Sequence, residues 1–127
     1  MLNHAQPERR TRRSNDTMTA LHYQLALARQ EGGFDAMVLA DEAGCLVAGA
    51  GAWPTCEMLA AYAPLLGSAS PGAAAALGDA LASPLEIAEL TVDGSRVLLC
   101  ARGGGAARAP SLERAASGCQ RILRTEP

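Results

Sequence analysis

The 127-residue chain has no lysine; all eleven of its basic side chains are arginine. With the excess of Ala and Gly, this is most simply the mark of GC-rich coding. Aromatic residues are also scarce, being limited to Tyr23, Phe34, Trp53 and Tyr62. A core must therefore be built from Leu, Val, Ile, Met and Ala. Each of these buries little area, at roughly 25 cal/mol per Å² of apolar surface, so a second subunit covering an open face would be a natural source of further burial. Histidine occurs only as His4 and His22, and no pair among Cys45, Cys56, Cys100 and Cys119 has C-x-x-C spacing. A zinc or dithiol redox motif is thereby excluded, and the four cysteines, which fall in apolar runs, are expected to be buried and reduced. Long continuous apolar stretches are missing as well. The basic N-terminus is not followed by the apolar region of a signal peptide, and nothing is long enough to span a membrane. A cytoplasmic protein is expected. The net charge of −2 gives no overall attraction to nucleic acid or anionic lipid. No metal, cofactor, nucleic acid or membrane partner is expected.

What charge there is lies unevenly. Arg9, Arg10, Arg12 and Arg13 sit in a polar stretch with Pro7, Ser14 and Asn15, which predicts a disordered arm over residues 1–15, because such a segment has too little apolar content to order itself. Residues 16–125 then form a single domain, the size that one hydrophobic core supports.

Within that domain, Met18, Leu21, Leu25 and Ala28 recur at helical spacing from about Asp16 to Gln30, with Asp16 or Thr17 as cap and Gly32-Gly33 as stop. Phe34 to Ala40 and Cys45 to Ala50 read as strands joined by the turn residues Asp41 to Gly44. Trp53-Pro54-Thr55 opens a second helix through Met58, Leu59, Tyr62, Leu65 and Leu66, which should kink at Pro64 or end soon after it. After a break at Gly67 to Pro71, Ser70 and Pro71 start an Ala-rich helix to about Ala82, closed by Ser83-Pro84. Leu85 to Val92 and Arg96 to Ala101 are strands joined by Asp93-Gly94, a dipeptide that suits a type I′ hairpin turn. A last helix starts at Pro110-Ser111 and carries Leu112, Ala115, Cys119, Ile122 and Leu123 on one face. The order α-ββ-α(broken)-ββ-α packs most simply as an α+β fold, an antiparallel sheet with helices laid on it.

The candidates for chemistry each have a plainer role. Gly103-Gly104-Gly105 lacks the lysine of a phosphate loop and reads as a connector. Asp41 and Glu42 are adjacent carboxylates in a hairpin turn, where such residues hydrogen-bond locally. Cys45 or Cys100 as a nucleophile would need a base, and His22 is the only histidine on offer. Trp53 is either a hydrophobic staple ahead of its helix or an interface anchor. An enzyme is therefore not expected.

The run Gly33-Phe34-Asp35-Ala36-Met37-Val38-Leu39-Ala40-Asp41-Glu42-Ala43-Gly44-Cys45-Leu46-Val47-Ala48 resembles the first hairpin of the Roadblock/dynein light chain family, of the profilin-like superfamily. Residues 21–66 carry this resemblance, and residues 85–123 follow it in element order. It implies a non-catalytic platform of bacterial type, usually a homodimer, that regulates or scaffolds a Ras-like small GTPase. The contact surface would be the second helix and first hairpin, with Trp53, Met58, Leu59, Tyr62 and Leu66 at the interface. The chain departs from the family in offering two strands, not three, between its second and last helices, and in interrupting the second helix at Pro64. A profilin-like sensor of the GAF or haem-binding kind is the alternative, with Trp53, Cys56 and Tyr62 lining a small-molecule pocket.

Overall fold

Five consecutive residues of one strand, Ala36 to Ala40, are all buried. A strand apolar on both faces has to be covered on both, so it belongs at the centre of a sheet between layers of helix. The computed structural model describes residues 5–66, 72–81 and 83–124. In chain order they form α1 (Ala5–Gly32), β1 (Phe34–Ala40), β2 (Leu46–Ala50), α2 (Trp53–Leu66), α3 (Ala73–Leu81), β3 (Leu85–Val92), β4 (Ser95–Gly103) and α4 (Arg108–Arg124). The four strands make one antiparallel sheet in the order β2-β1-β4-β3. The expected α+β fold is the one observed.

Alternation along the central strands divides the core in two. Met37 and Leu39 of β1 and Leu99 and Ala101 of β4 pack with Leu21, Leu25 and Ala28 of α1 and with Leu112, Ala115 and Cys119 of α4. On the other face, Ala36, Val38 and Ala40 of β1 and Leu98 and Cys100 of β4 pack beneath Cys56, Leu59, Ala63 and Leu66 of α2. The α3 helix rests on the same side, against β3.

The turns follow their residues. Asp41 Oδ1 accepts the backbone N–H of Ala43 and of Cys45, each at 2.9 Å, so the side chain itself organises the β1–β2 turn. At the other hairpin Asp93 and Gly94 have φ of 52° and 80°, the paired positive values a type I′ turn requires. A bulge places Val47 opposite no partner, since Leu39 pairs with Ala48 and Ala40 with Leu46.

Several boundaries differ from expectation. The first helix does not begin at Asp16 or Thr17 but runs from Ala5, so residues 5–15 of the expected disordered arm are helical. Glu, Gln and Arg are good helix formers, the segment has no glycine, and Pro7 falls in the first turn, where its missing N–H has no intrahelical partner to lose. Residues 1–4 lie outside the described residues. As expected, the α2 helix ends soon after Pro64, at Leu66; the Gly67 to Pro71 break, including the Ser70 cap, lies outside the described residues, as does Ala82. The β4 strand extends to Gly103, whose N–H donates to Pro84 O at 2.8 Å. The last helix starts at Arg108, with Pro110 in its first turn. Cys45 is exposed at the hairpin turn, while Cys56, Cys100 and Cys119 are buried as expected.

Because β4 is packed on both faces, adjacent residues should be equally costly to truncate. Leu98→Ala and Leu99→Ala are each expected to destabilise by about 2–5 kcal/mol in urea unfolding; a near-neutral effect of either would show one face uncovered.

Candidate functional site

A helix that packs on a sheet ordinarily offers a polar face to water. The sequence of α2, Trp53-Pro54-Thr55-Cys56-Glu57-Met58-Leu59-Ala60-Ala61-Tyr62-Ala63-Pro64-Leu65-Leu66, contains one charged side chain, Glu57. Cys56, Leu59, Ala60, Ala63 and Leu66 are buried against the sheet. The opposite side is also mainly apolar, with Glu57 exposed among its residues. Pro54, Met58, Ala61 and Leu65 recur at i, i+4, i+7 and i+11 as one stripe with Tyr62 beside it. Trp53, Tyr62 and Leu65 are 54%, 42% and 68% exposed, and Met58 is half-buried. This outward face is the candidate site, an apolar surface of the kind that marks a protein interface.

The first hairpin fixes how α2 sits. Proline has no N–H, so Pro64 leaves the Ala60 carbonyl without its i+4 donor. Gly44 of the β1–β2 turn lies against that stretch: a Cβ there would stand 3.5 Å from Ala60 O and 3.4 Å from Ala61 O, and its φ is +83°. The positive φ calls for glycine, and the turn sits in van der Waals contact with the helix. Nearer the helix start, Cys56 Sγ lies 3.6 Å from Ala50 O, over Gly49, where a Cβ would meet that sulfur at 3.2 Å. At the far end of the hairpin, Glu42 Oε1 accepts the Arg96 N–H at 2.8 Å, tying the two hairpins together.

Of the residues expected at the interface, the structure brings Trp53, Met58 and Tyr62 to the surface and not Leu59 or Leu66. Both leucines are buried in the core over β1 and β4, because their positions fall on the sheet-facing side of the helix. Leu65 was missed. With apolar residues all round α2, periodicity could not separate the two faces; the spacing from Pro54 would have found it had the sheet side been known. Trp53 is too exposed to be a staple buried under its helix.

The other candidates are accounted for by packing. Trp53 and Tyr62 are exposed whereas Cys56 is buried between α2 and the sheet, so the three do not line one cavity; two concavities among the described residues, of about 450 and 610 Å³, are lined instead by Asp79, Ser83 and Glu86 and by Gln24, Leu27 and Arg121 among others. Gly103 and Gly105 already donate their amides, to Pro84 O and to Gly32 O at 2.9 Å, so the glycine run is no phosphate cradle. Burial pushes the Cys100 and Cys119 thiols up to about 12 and raises that of Cys56, where the Arg29 charge partly offsets it. A nucleophilic thiol needs the opposite shift. His22 lies on the backbone of Gly49, its Nδ1 3.0 Å from Gly49 O. Among the described residues no group of three or more His, Cys, Asp or Glu could hold a metal ion, and no helix is long and apolar enough to cross a membrane.

No protein-family model and no curated protein sequence matches the chain. Solved structures do. MglB of Myxococcus xanthus superposes with a TM-score of 0.60 at 14% identity, over 85% of this chain and 90% of that one. An MglB described with a tetrameric arrangement gives 0.65 at 20% identity, over 86% and 91%. The gliding protein MglB from Thermus thermophilus gives 0.63 at 17% identity, over 86% and 92%. The chain has the fold of these proteins, which agrees with the Roadblock-like hairpin read from residues 33–48.

Two outcomes follow from the site. At concentrations where the chain is monomeric, Trp53→Ala and Leu65→Ala should each change stability by no more than about 0.5 kcal/mol, whereas Leu59→Ala costs about 2–5 kcal/mol; chemical denaturation of the three variants separates surface from core. The buried thiols set an alkaline limit. Their folded pKa lies above the ordinary value of about 8.5, so the unfolded chain loses its thiol protons first. Their contribution is whole below about pH 8.5 and is lost as pH rises from there toward 12. The urea midpoint should fall across that range, and fall less in Cys119→Ala relative to its own value at pH 7.

Proposed function

We propose that this chain is a non-catalytic interaction module of bacterial, Roadblock-like type, a cytoplasmic homodimer that regulates or scaffolds a Ras-like small GTPase. The observation that carries the reading is the outward face of α2. Trp53, Met58, Tyr62 and Leu65 form an apolar stripe on a helix whose other side is already used by the core. Such a face is what a partner desolvates, and tryptophan and tyrosine are the side chains that most often dominate binding energy when they are covered. The fold shared with the MglB structures supports the same class of protein, and the tetrameric arrangement named for one of them supports association of copies. The small-GTPase partner rests on the resemblance of residues 33–48 to the Roadblock hairpin.

The scarcity of large side chains gives the association a physical reason. The α2-side core is made of Ala36, Val38, Ala40, Ala60 and Ala63 with a few leucines and cysteines, so it buries modest area per residue, and covering Trp53, Tyr62 and Leu65 adds to it. The ligand-sensor reading has no comparable observation, since Trp53 and Tyr62 face outward.

Light scattering on the full chain tests the association. A two-copy mass is expected, reduced to one copy by Leu65→Arg; a wild-type monomer at all concentrations sinks the dimer. Binding to GTP-loaded Ras-like GTPases of the same genome tests the partner. Trp53→Ala is expected to weaken such binding by roughly thirtyfold, the effect of losing an anchor worth about 2 kcal/mol.

A further inference from the structure

The two edges of the sheet are guarded differently. On β3, Glu86 pairs with Arg108 Nε at 3.3 Å and Glu89 with Arg96 Nη1 at 3.9 Å. Charged side chains on an edge strand oppose the approach of another strand. The β2 edge is the sequence Leu46-Val47-Ala48-Gly49-Ala50, with neither charge nor proline. Left open, such a strand is a template for pairing.

Its protection comes from α1. In an antiparallel ladder the N–H and C=O of one residue point to the same side. Gly49 stands opposite Val38, and both its backbone groups meet His22: Nδ1 lies 3.0 Å from Gly49 O and 3.5 Å from Gly49 N. They therefore face away from β1, toward the open edge. One ring nitrogen serves both in turn. As N–H it donates to the carbonyl; without the proton it accepts from the amide. The ring is held in place by its helix, because the neighbouring Leu21 and Leu25 are wholly buried beneath α1. Two turns further on the same helix, Arg29 Nε donates to Asp35 O at 3.0 Å, a second clasp between α1 and the start of β1.

We propose that His22 is a gate on the β2 edge: docked on Gly49 it keeps the edge closed, and with the imidazole withdrawn the edge pairs with β2 of a second copy. The occupant follows from the strand. Ala48, Gly49 and Ala50 leave room for close approach, and an isologous antiparallel pair centred on Gly49 matches the outward N–H and C=O of each copy to those of the other. This association uses the edge of β2, whereas the surface proposed above is the outward side of α2, and it stands whether or not that side is an interface.

Two measurements decide it. In the wild-type protein, hydrogen exchange should show the Gly49 amide protected although it has no ladder partner; exchange at the rate of an unprotected amide overturns the proposal without any variant. In His22→Ala, checked for folding by circular dichroism, the Gly49 amide should exchange at least about tenfold faster, the effect of losing one hydrogen bond. The mass by light scattering should double relative to wild type at the same concentration. His22→Gln, whose amide still donates and accepts, should restore part of the protection and of the wild-type mass. A folded His22→Ala protein with wild-type mass and wild-type Gly49 exchange rules the gate out.

Discussion

The structure depends on one constraint: the two central strands are apolar on both faces. Val38 and Leu39, or Leu98 and Leu99, point in opposite directions and each needs a dry neighbour. A sheet with this pattern is unstable unless helices cover both sides, and the chain supplies α1 and α4 for one side and α2 with α3 for the other. The covering of the second side is the thinner. It falls chiefly to α2, a helix with a single charged residue, which therefore has apolar surface to spare once the sheet is satisfied.

That surplus gives a small, aromatic-poor domain an exposed apolar face on α2. Its chemistry is neutral by construction. The buried thiols are held protonated by desolvation, the hairpin carboxylates Asp41 and Glu42 are engaged with backbone amides, and the glycine run donates its amides to the fold. The exposed apolar area lies on α2, where a ring at Trp53 and another at Tyr62 flank the stripe.

Much of the fold was legible because it is set by local signals. Asp93-Gly94 specified its turn through backbone φ, Asp41 and Gly44 specified the other, and the run from Phe34 to Ala40 read as a strand on composition alone. The start of α1 was not legible, since low apolar content argued against order while the helix propensity of residues 5–15 argued for it, and the helix extends to Ala5. The site was half legible for a different reason. A helix that is apolar all round gives no phase, so Leu59 and Leu66 could not be told from Leu65 until the position of β1 and β4 beneath them was fixed. Trp53 and Tyr62 lie at the surface because their positions on α2 fall away from the sheet-facing side that Leu59, Ala63 and Leu66 occupy.

The contact between Gly44 and the backbone of α2 at Ala60 and Ala61 sets the length of the turn. Loop tips usually tolerate insertions, but this one lies within van der Waals reach of the helix above it. A longer loop would have to displace that helix, so the hairpin tip belongs to the packing on its side of the sheet and is not a free surface loop.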